Sequence, residues 1–311
     1  MKQPVVAVVG PTAVGKTSLS VEIAKRFNGE VISGDSMQIY QGMDIGTAKV
    51  TNEEMQGIPH YMIDIKQPEA SFSAAEFQGL VHEYIEKIAA DHHLPVIAGG
   101  TGLYIQAALY GYNFSDQPRD PAFHEALEKE VEEEGIAPIY DRLKAVDPAQ
   151  AEKIHPNNVR RVIRAWEVYE TTGLTMSEYQ QKQQNNSDYE PILIGLEMDR
   201  EVLYRRINER IDQMLEQGLV EEVRSLYEKG LSNAQSMKAI GYKEFIPYFK
   251  GESSFEETVE LLKRNSRRYA KRQYTWFKNK MDVKWYEITP ESKTEKFEII
   301  LQDLAGMLRK K

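Results

Sequence analysis

The chain has 311 residues, 41% of them hydrophobic, a net charge of −9 at neutral pH and no cysteine. This length can bury a full core, and we expect two domains or one domain with a large insertion. The absence of cysteine excludes disulfide bonds, cysteine-ligated zinc and thiol chemistry, which fits a reducing, cytoplasmic compartment. No apolar run approaches the ~18 residues of a membrane span, and the first residues begin a strand rather than a signal peptide. We therefore expect no membrane partner.

The first strand pattern, residues 5–10, runs directly into the phosphate-binding pattern G-x-x-x-x-G-K-T, and helical periodicity follows over residues 16–27. In such a loop the glycines let backbone N–H groups point at a phosphate. The helix N-terminus and Lys16 add positive charge, and the hydroxyl of Thr17 can hold Mg²⁺. A glycine-rich turn with an incidental lysine is the structural alternative. The residues that we expect at a diphosphate or triphosphate are Gly10, Thr12, Ala13, Val14, Gly15, Lys16 and Thr17.

Strand and helix patterns alternate up to about residue 114, with further strands predicted at 30–35 and 94–98 and helices at 74–90 and 102–109. Such alternation predicts an α/β fold, a P-loop NTPase-like parallel sheet core flanked by helices. In that architecture ligands bind at the carboxyl ends of the strands.

The middle of the chain is charged, rich in proline and helical in pattern, and it closes with a polar tract at 180–188 that we interpret as a loop. We therefore predict an α/β core domain from residues 1–115 and 190–311, with an all-helical insertion domain at 116–189. Helices are predicted there at 121–134, 139–143 and 158–171. After it we predict a strand at 191–198, one long amphipathic helix at 203–227, a basic helix at 255–278 and a last strand at 283–288.

Residues 261–281 hold eight lysines and arginines and no acidic residue, although the chain as a whole is acidic. Concentrated positive charge of this kind is typical of a nucleic-acid interface. A solvated basic helix face is the alternative. The segment also carries Tyr269, Tyr274, Trp276 and Phe277, which could stack on bases, although core packing is the favoured interpretation for the last two.

Many P-loop proteins that hydrolyse nucleotides end a strand with an aspartate that helps to hold Mg²⁺, but the strand at 94–98 is followed by Gly99, Gly100 and Thr101. The strand-terminal acid is Asp35, in a strand that we expect one sheet position from the P-loop. A carboxylate beside a diphosphate and not needed for metal is well placed to be a general base. Alternatively, Asp35 caps a helix or holds Mg²⁺ through water, and Ser36 could be an N-cap.

Short motifs spread over the whole chain resemble, in order and spacing, those of the bacterial tRNA dimethylallyltransferases. The DSMQIY element at 35–40 is the most specific of them. The zinc-finger extension of the eukaryotic relatives is missing. The other matching motifs are GPTAVGKT at 10–17, GMDIGTAK at 42–49, PH at 59–60, FSAAEF at 72–77, GGTGLY at 99–104, HPNN at 155–158, RR at 160–161, GY at 241–242, KRQ at 271–273 and WF at 276–277.

The resemblance implies transfer of dimethylallyl from dimethylallyl diphosphate to the exocyclic amine of the adenosine 3′ to the anticodon, with Mg²⁺ at Thr17. It implies Asp35 as the base, Thr101 beside the amine, and an arginine on the diphosphate. For that arginine we favour Arg210 over Arg206, with a solvated pair beside Glu209 as the alternative.

The resemblance also implies a tRNA anticodon stem-loop as partner, with the helical insertion closing over the stem, and we expect a monomer. The residues expected at the tRNA, with the basic helix included, are Asp35, Ser36, Met37, Gln38, Thr101, Arg160, Arg161, Val162, Ile163, Arg164, Gly241, Tyr242, Lys243, Lys271 and Arg272.

Three other functions remain open at this point: an isopentenyltransferase acting on free adenine nucleotides, a P-loop kinase of small molecules, and a non-catalytic RNA-binding module. A nucleotide acceptor needs neither the basic aromatic helix nor the sizeable insertion. A kinase would use Asp35 to activate a hydroxyl and the insertion as a lid. A non-catalytic RNA-binding module would keep its activity after loss of the Asp35 side chain.

Overall fold

A computed structural model describes residues 2–112, 120–182 and 187–309 of the chain. The chain forms two compact units, one of Met1–Tyr110 with Ser187–Lys311 and one of Gly111–Asn186. The predicted domain boundary between residues 115 and 116 lies outside the described residues. Within the described part, no helix is both long and apolar enough to cross a membrane.

The larger unit contains six strands and nine of the α-helices, and the smaller unit contains five helices, all counted over the described residues. The strands are β1 Gln3–Val9, β2 Gly29–Ser33, β3 His60–Tyr61, β4 Leu94–Gly99, β5 Tyr189–Glu197 and β6 Lys284–Glu287. The helices of the larger unit are α1 Lys16–Arg26, α2 Asn52–Met55, α3 Ala74–Ala90, α4 Gly102–Leu109, α10 Arg200–Glu216, α11 Leu219–Glu228, α12 Phe245–Phe249, α13 Phe255–Lys280 and α14 Lys293–Arg309. Those of the smaller unit are α5 Pro121–Glu134, α6 Ala137–Val146, α7 Pro148–Ala151, α8 Val159–Thr172 and α9 Met176–Lys182.

The sheet is parallel throughout, with the strand order β3-β2-β4-β1-β5-β6, which confirms the predicted α/β fold class. Strand β1 lies in the interior of the sheet, between β4 and β5, and its residues 5–9 are all fully buried. One expectation was wrong: β4 lies between β1 and β2, so the strand before Asp35 is two positions from the P-loop strand, not one. The carboxyl ends of β1, β4 and β2 still meet at one edge, and that edge carries the site.

The predicted long helix at 203–227 is two helices, because Gly218 adopts φ +101° and separates α10 from α11. A left-handed residue of this kind ends a helix and lets the chain turn. The polar tract expected as a loop at 180–188 begins inside α9, and its residues 183–186 lie outside the described part. Helix α14 was not predicted, and its apolar face packs into the main core through Phe297, Ile300 and Leu304.

The smaller unit has a hydrophobic core of its own. The buried residues of this core are Leu127, Ile139, Leu143, Ala151, Ile154, Val162, Ile163, Ala165 and Trp166. Val162 and Ile163 were expected at the tRNA, but at 0% and 1% exposure their side chains are enclosed in this core. In helix α8 these two positions face the apolar interior, whereas Arg160 and Arg161 next to them are exposed.

Candidate active site

The loop between β1 and α1 has the geometry of a phosphate-binding loop. Gly10 has φ +142°, and a Cβ there would lie 2.6 Å from the carbonyl oxygen of Leu196, so only glycine fits. Gly15, at φ +108°, immediately precedes helix α1. The ammonium of Lys16 donates to the carbonyl oxygen of Pro11 at 2.7 Å, and burial lowers its pKa to about 7. The loop therefore offers a helix N-terminus and an enclosed lysine to an anion.

Two adjoining cavities of about 380 Å³ each open at this edge of the sheet. The first, which we call the P-loop cavity, contains Lys16, Thr17, Arg206 and Arg210. The second, which we call the apolar cavity, has Ile207, Ile211, Met214, Leu219 and Leu262 on one side. The residues that line both cavities, and so mark the place where they meet, are Thr12, Ala13, Asp35, Thr47, Ala48, Arg210 and Tyr269.

Asp35 lies where the two cavities meet, beyond the end of β2. Its Oδ1 accepts the backbone N–H of Met37 at 2.8 Å. Burial raises the pKa of Asp35, while the Met37 N–H and the positive charges of Lys16 and Arg210 act in the opposite direction. No helix begins within residues 36–51, all of which the structure describes. Asp35 and Ser36 are therefore not helix caps. The Asp35 carboxylate lines both cavities, and its burial raises its affinity for a proton.

Thr101 lies in the loop that follows β4 and lines the apolar cavity together with Asp35. Its hydroxyl accepts the backbone N–H of Ser36 at 3.2 Å and lies 3.4 Å from the hydroxyl of Ser36. Gln38 lines the P-loop cavity, and its amide nitrogen donates to the carbonyl oxygens of Thr47 and Ala48. The structure thus brings Asp35, Ser36 and Thr101 together, and Gln38 fixes the neighbouring loop.

The glycines around Thr101 provide room for helix α13. A Cβ on Gly100 would lie 2.0 Å from the amide nitrogen of Gln273, and one on Gly102 would lie 2.2 Å from the indole ring of Trp276. The helix therefore packs directly on the backbone of the loop, and Phe277 is fully buried. For Trp276 and Phe277 the core-packing alternative is the one that the structure supports.

Two residues of α13 have positions in the site that the sequence did not predict: Gln273 was assigned no role, and Tyr269 was expected only to stack on bases. Gln273 is buried, accepts the backbone N–H of Thr12 at 2.9 Å and donates to the carbonyl oxygen of Gly100 at 3.1 Å. Burial raises the pKa of Tyr269, and the nearby side chains of Thr101 and Gln273 act in the opposite direction. A signal was available, since Gln273 interrupts the apolar stripe that Ala270 and Phe277 continue. A polar residue in such a stripe needs a buried partner.

Both candidate arginines of α10 reach the P-loop. The Nε of Arg206 donates to the carbonyl oxygen of Ala13 at 3.1 Å, and Arg210 lines both cavities. Burial lowers the pKa of Arg210, whereas Glu54 and Asp35 act to raise it. Glu209 is exposed and pairs with Arg205. The solvated-pair alternative therefore does not describe these two residues.

The basic side chains of helix α13 lie in two different environments. On one face Lys263 pairs with Asp212 and Arg267 donates to Asn208, so these charges are engaged within the protein. On the other face the side chains of Arg264, Arg268, Lys271 and Arg272 are exposed. The guanidinium of Arg272 also lies 5.6 Å from the ring centre of Tyr269 and lines the apolar cavity.

The other residues expected at the tRNA differ in exposure. Gly241 and Lys243 line the apolar cavity, whereas Tyr242 between them is fully buried and donates to Glu222. In the smaller unit Arg160 and Arg161 are exposed. Arg164 is half-buried and lies 3.5 Å from Glu167. Backbone and lysine contacts are thus available at 241–243, but not the Tyr242 ring.

The family described as IPP transferase matches residues 38–280 of the chain. The chain belongs to the IPP transferase family. It is 60% identical over 311 residues to the tRNA dimethylallyltransferase of Oceanobacillus iheyensis, covering 100% of this chain and 99% of that protein. It is 58% identical over 308 residues to the protein of the same name from Bacillus pumilus, covering 99% and 97%.

Solved structures of family members match the fold as well. The full-length tRNA isopentenylpyrophosphate transferase from Bacillus halodurans is 48% identical with a TM-score of 0.75, covering 100% of this chain and 98% of that one. A eukaryotic dimethylallyltransferase acting on tRNA is 31% identical with a TM-score of 0.81, covering 93% and 75%. The resemblance stated from the motifs is confirmed.

Proposed function

We propose that this IPP transferase transfers the dimethylallyl group of dimethylallyl diphosphate to the exocyclic amine of the adenosine next to the anticodon of a tRNA, releasing diphosphate. The observation that carries the mechanism is the position of Asp35, which lines both the P-loop cavity and the apolar cavity. A group at that place reaches an acceptor in one cavity while the leaving diphosphate occupies the other.

Asp35 acts as the general base in this proposal. The adenine amine is a weak nucleophile because its lone pair is delocalised into the ring. As the bond from its nitrogen to C1 of the dimethylallyl group forms, the bond from C1 to the diphosphate oxygen breaks, and the departing proton passes to the Asp35 carboxylate. The hydroxyl of Thr101, held beside Ser36, hydrogen-bonds to the same amine and orients it.

The leaving diphosphate gains negative charge, which the P-loop cavity is built to stabilise. The P-loop residues Ala13, Gly15, Lys16 and Thr17 line that cavity, together with Arg206 and Arg210. Such fixed donors stabilise developing charge without reorganising.

The Thr17 hydroxyl, which also lines the P-loop cavity, suits a hard cation, and it would hold Mg²⁺ together with diphosphate oxygens. The ion would supply further neutralisation of the leaving group. Among the residues that the structure describes there is no group of three or more histidine, aspartate or glutamate side chains that could hold a metal.

The tRNA is bound in this proposal by exposed cations and by the mouth of the apolar cavity. A base stacked in an anticodon loop has to be extruded before it reaches Asp35. We assign phosphate contacts to Lys271, Arg272 and Lys243, and further contacts in the smaller unit to Arg160 and Arg161. All five side chains are exposed, and basic side chains on phosphates supply most of the affinity in such interfaces. We propose that the enzyme acts as a monomer.

Incubation with labelled dimethylallyl diphosphate, Mg²⁺ and unmodified tRNA, followed by digestion to nucleosides, tests this function. We expect label on the adenosine next to the anticodon and none on free AMP. Label on AMP alone would favour an enzyme acting on nucleotides. Phosphate transfer from ATP to a small molecule, without transfer to tRNA, would overturn the proposal in favour of a kinase.

A further inference from the structure

The carboxylate of Glu222, on helix α11, accepts four hydrogen bonds. Its Oε2 accepts the backbone N–H groups of Asp44 and Ile45, both at 2.8 Å. Its Oε1 accepts the N–H of Gly46 at 3.0 Å and the hydroxyl of Tyr242 at 2.6 Å. Three successive N–H groups and a phenol aimed at one carboxylate form an anion-centred clamp, and hydrogen bonds to a charged acceptor are roughly twice as strong as neutral ones.

The clamp joins two separate segments of the chain. A Cβ on Gly46 would lie 2.5 Å from the ring of Tyr242, so the 44–46 turn packs directly on that ring. Tyr242 is fully buried, and its own loop is tied by Glu244, which accepts the N–H of Gly241 at 2.9 Å. Glu222 therefore joins the 44–46 turn to the 241–243 segment.

These two joined segments form one side of the site that we assign to the acceptor. Gly46, Gly241 and Lys243 line the apolar cavity, and Thr47 and Ala48 line both cavities. Glu222 lies behind this side and is not among the residues that line either cavity. It acts through the backbone that it holds, and not by contact with substrate.

We propose that Glu222 is a positioning residue that sets the distance between the 44–48 loop and Asp35, and so controls how the acceptor adenosine enters. This inference rests on the proposed function. Loss of the clamp leaves backbone N–H groups without their acceptor, and the loop then relaxes into the apolar cavity. The groups that hold the diphosphate, Lys16 and Arg206, lie on other elements and keep their hydrogen bonds.

Glu222→Gln tests the proposal, because an amide keeps one oxygen but turns an NH₂ group toward N–H or O–H donors. Glu221→Gln is the matched control: it removes the same charge one residue away, at an exposed position. We expect Glu222→Gln to lower kcat/KM for tRNA by about ten- to a hundredfold. The Kd for inorganic pyrophosphate stays close to wild type, and Glu221→Gln stays within about twofold of wild type in every assay.

Tyr242→Phe removes one hydrogen bond of the same clamp and carries the test if Glu222→Gln does not fold. It should give a smaller loss in kcat/KM for tRNA, and it should add little to the loss in Glu222→Gln. A kcat/KM for tRNA equal to that of Glu221→Gln, or a parallel loss of pyrophosphate affinity, would overturn the inference. Absence of transfer by the wild-type protein would instead overturn the proposed function.

Discussion

Gln273 and Thr12 lie 261 positions apart in sequence, and the side-chain oxygen of Gln273 accepts the backbone N–H of Thr12 at 2.9 Å. The same amide donates to Gly100 at 3.1 Å, so one residue ties the P-loop to the loop that carries Thr101. Because Gln273 lies on the helix whose exposed face carries Lys271 and Arg272, one helix joins the face that we propose for tRNA to the loop that we propose for the diphosphate.

Gln273→Glu should destabilise the protein. The substitution keeps an acceptor for Thr12 but places a buried carboxylate oxygen against the carbonyl oxygen of Gly100. We expect the free energy of unfolding to fall by about 1–3 kcal/mol, as measured by urea denaturation. Gln302→Glu adds the same charge at an exposed position of α14 and serves as the control. Equal stability of the two variants would show that the Gly100 bond contributes nothing.

Diphosphate affinity should depend on the protonation of Lys16. Burial lowers its pKa to about 7 in the free protein, and a bound diphosphate stabilises the charged form. Above that pH, binding therefore requires uptake of a proton, and the affinity for pyrophosphate should fall by up to tenfold per pH unit. Calorimetry from pH 6 to 9 measures this pH dependence of the affinity. The Lys16→Met variant is the control, because its pH dependence reports the titration of pyrophosphate itself. Identical pH profiles for the two proteins would contradict the assignment.

The exposed face of α13 should bind tRNA electrostatically. Lys271→Ala combined with Arg272→Ala should raise the Kd for tRNA and reduce the salt dependence of binding by about 0.7–0.9 in log-log slope for each phosphate that is no longer neutralised. Pyrophosphate affinity should not change. Lys229→Ala with Lys250→Ala removes two exposed lysines from other elements as a control. A tRNA affinity unchanged from wild type in the α13 double variant would remove this face from the interface.

In helix α8, a substitution at a buried position should change stability alone, and a substitution at an exposed position should change tRNA binding alone. Ile163→Val leaves space in the core of the smaller unit and should cost about 0.5–1.5 kcal/mol of stability without changing tRNA affinity. Arg161→Ala, at an exposed position, should weaken tRNA binding with little change in stability. Thermal unfolding and filter binding measure the two effects. A loss of tRNA affinity in Ile163→Val at full stability would mean that the buried residue contacts the tRNA after all.

Much of the larger unit could be predicted from the sequence because its signals are local. Apolar runs ending in glycine or an acid marked β1, β2 and β4, and the helix predicted at 74–90 has the observed bounds. The strand order could not be predicted in this way, since nothing local specifies that β4 lies between β1 and β2. The break at Gly218 was also missed, because the apolar periodicity of α10 and α11 continues across one glycine.

The site could be predicted where residues are close in sequence to a motif. Lys16, Asp35 and Thr101 follow strand ends, and the parallel sheet brings such ends together. Gln273 and Glu222 could not be assigned a role, because their partners are backbone groups of distant segments. Glu222 and Glu221 look alike in sequence, and only the fold shows which of them meets the 44–46 turn.

Single-turnover transfer by Asp35→Asn, at saturating dimethylallyl diphosphate and tRNA, tests the central claim most directly, because it isolates the chemical step from binding. If Asp35 takes the proton of the amine, the rate should fall by about 10²–10⁴-fold, while the Kd for tRNA and for pyrophosphate change far less. A rate within a few fold of wild type, or a loss explained fully by weaker tRNA binding, would show that Asp35 is not the base.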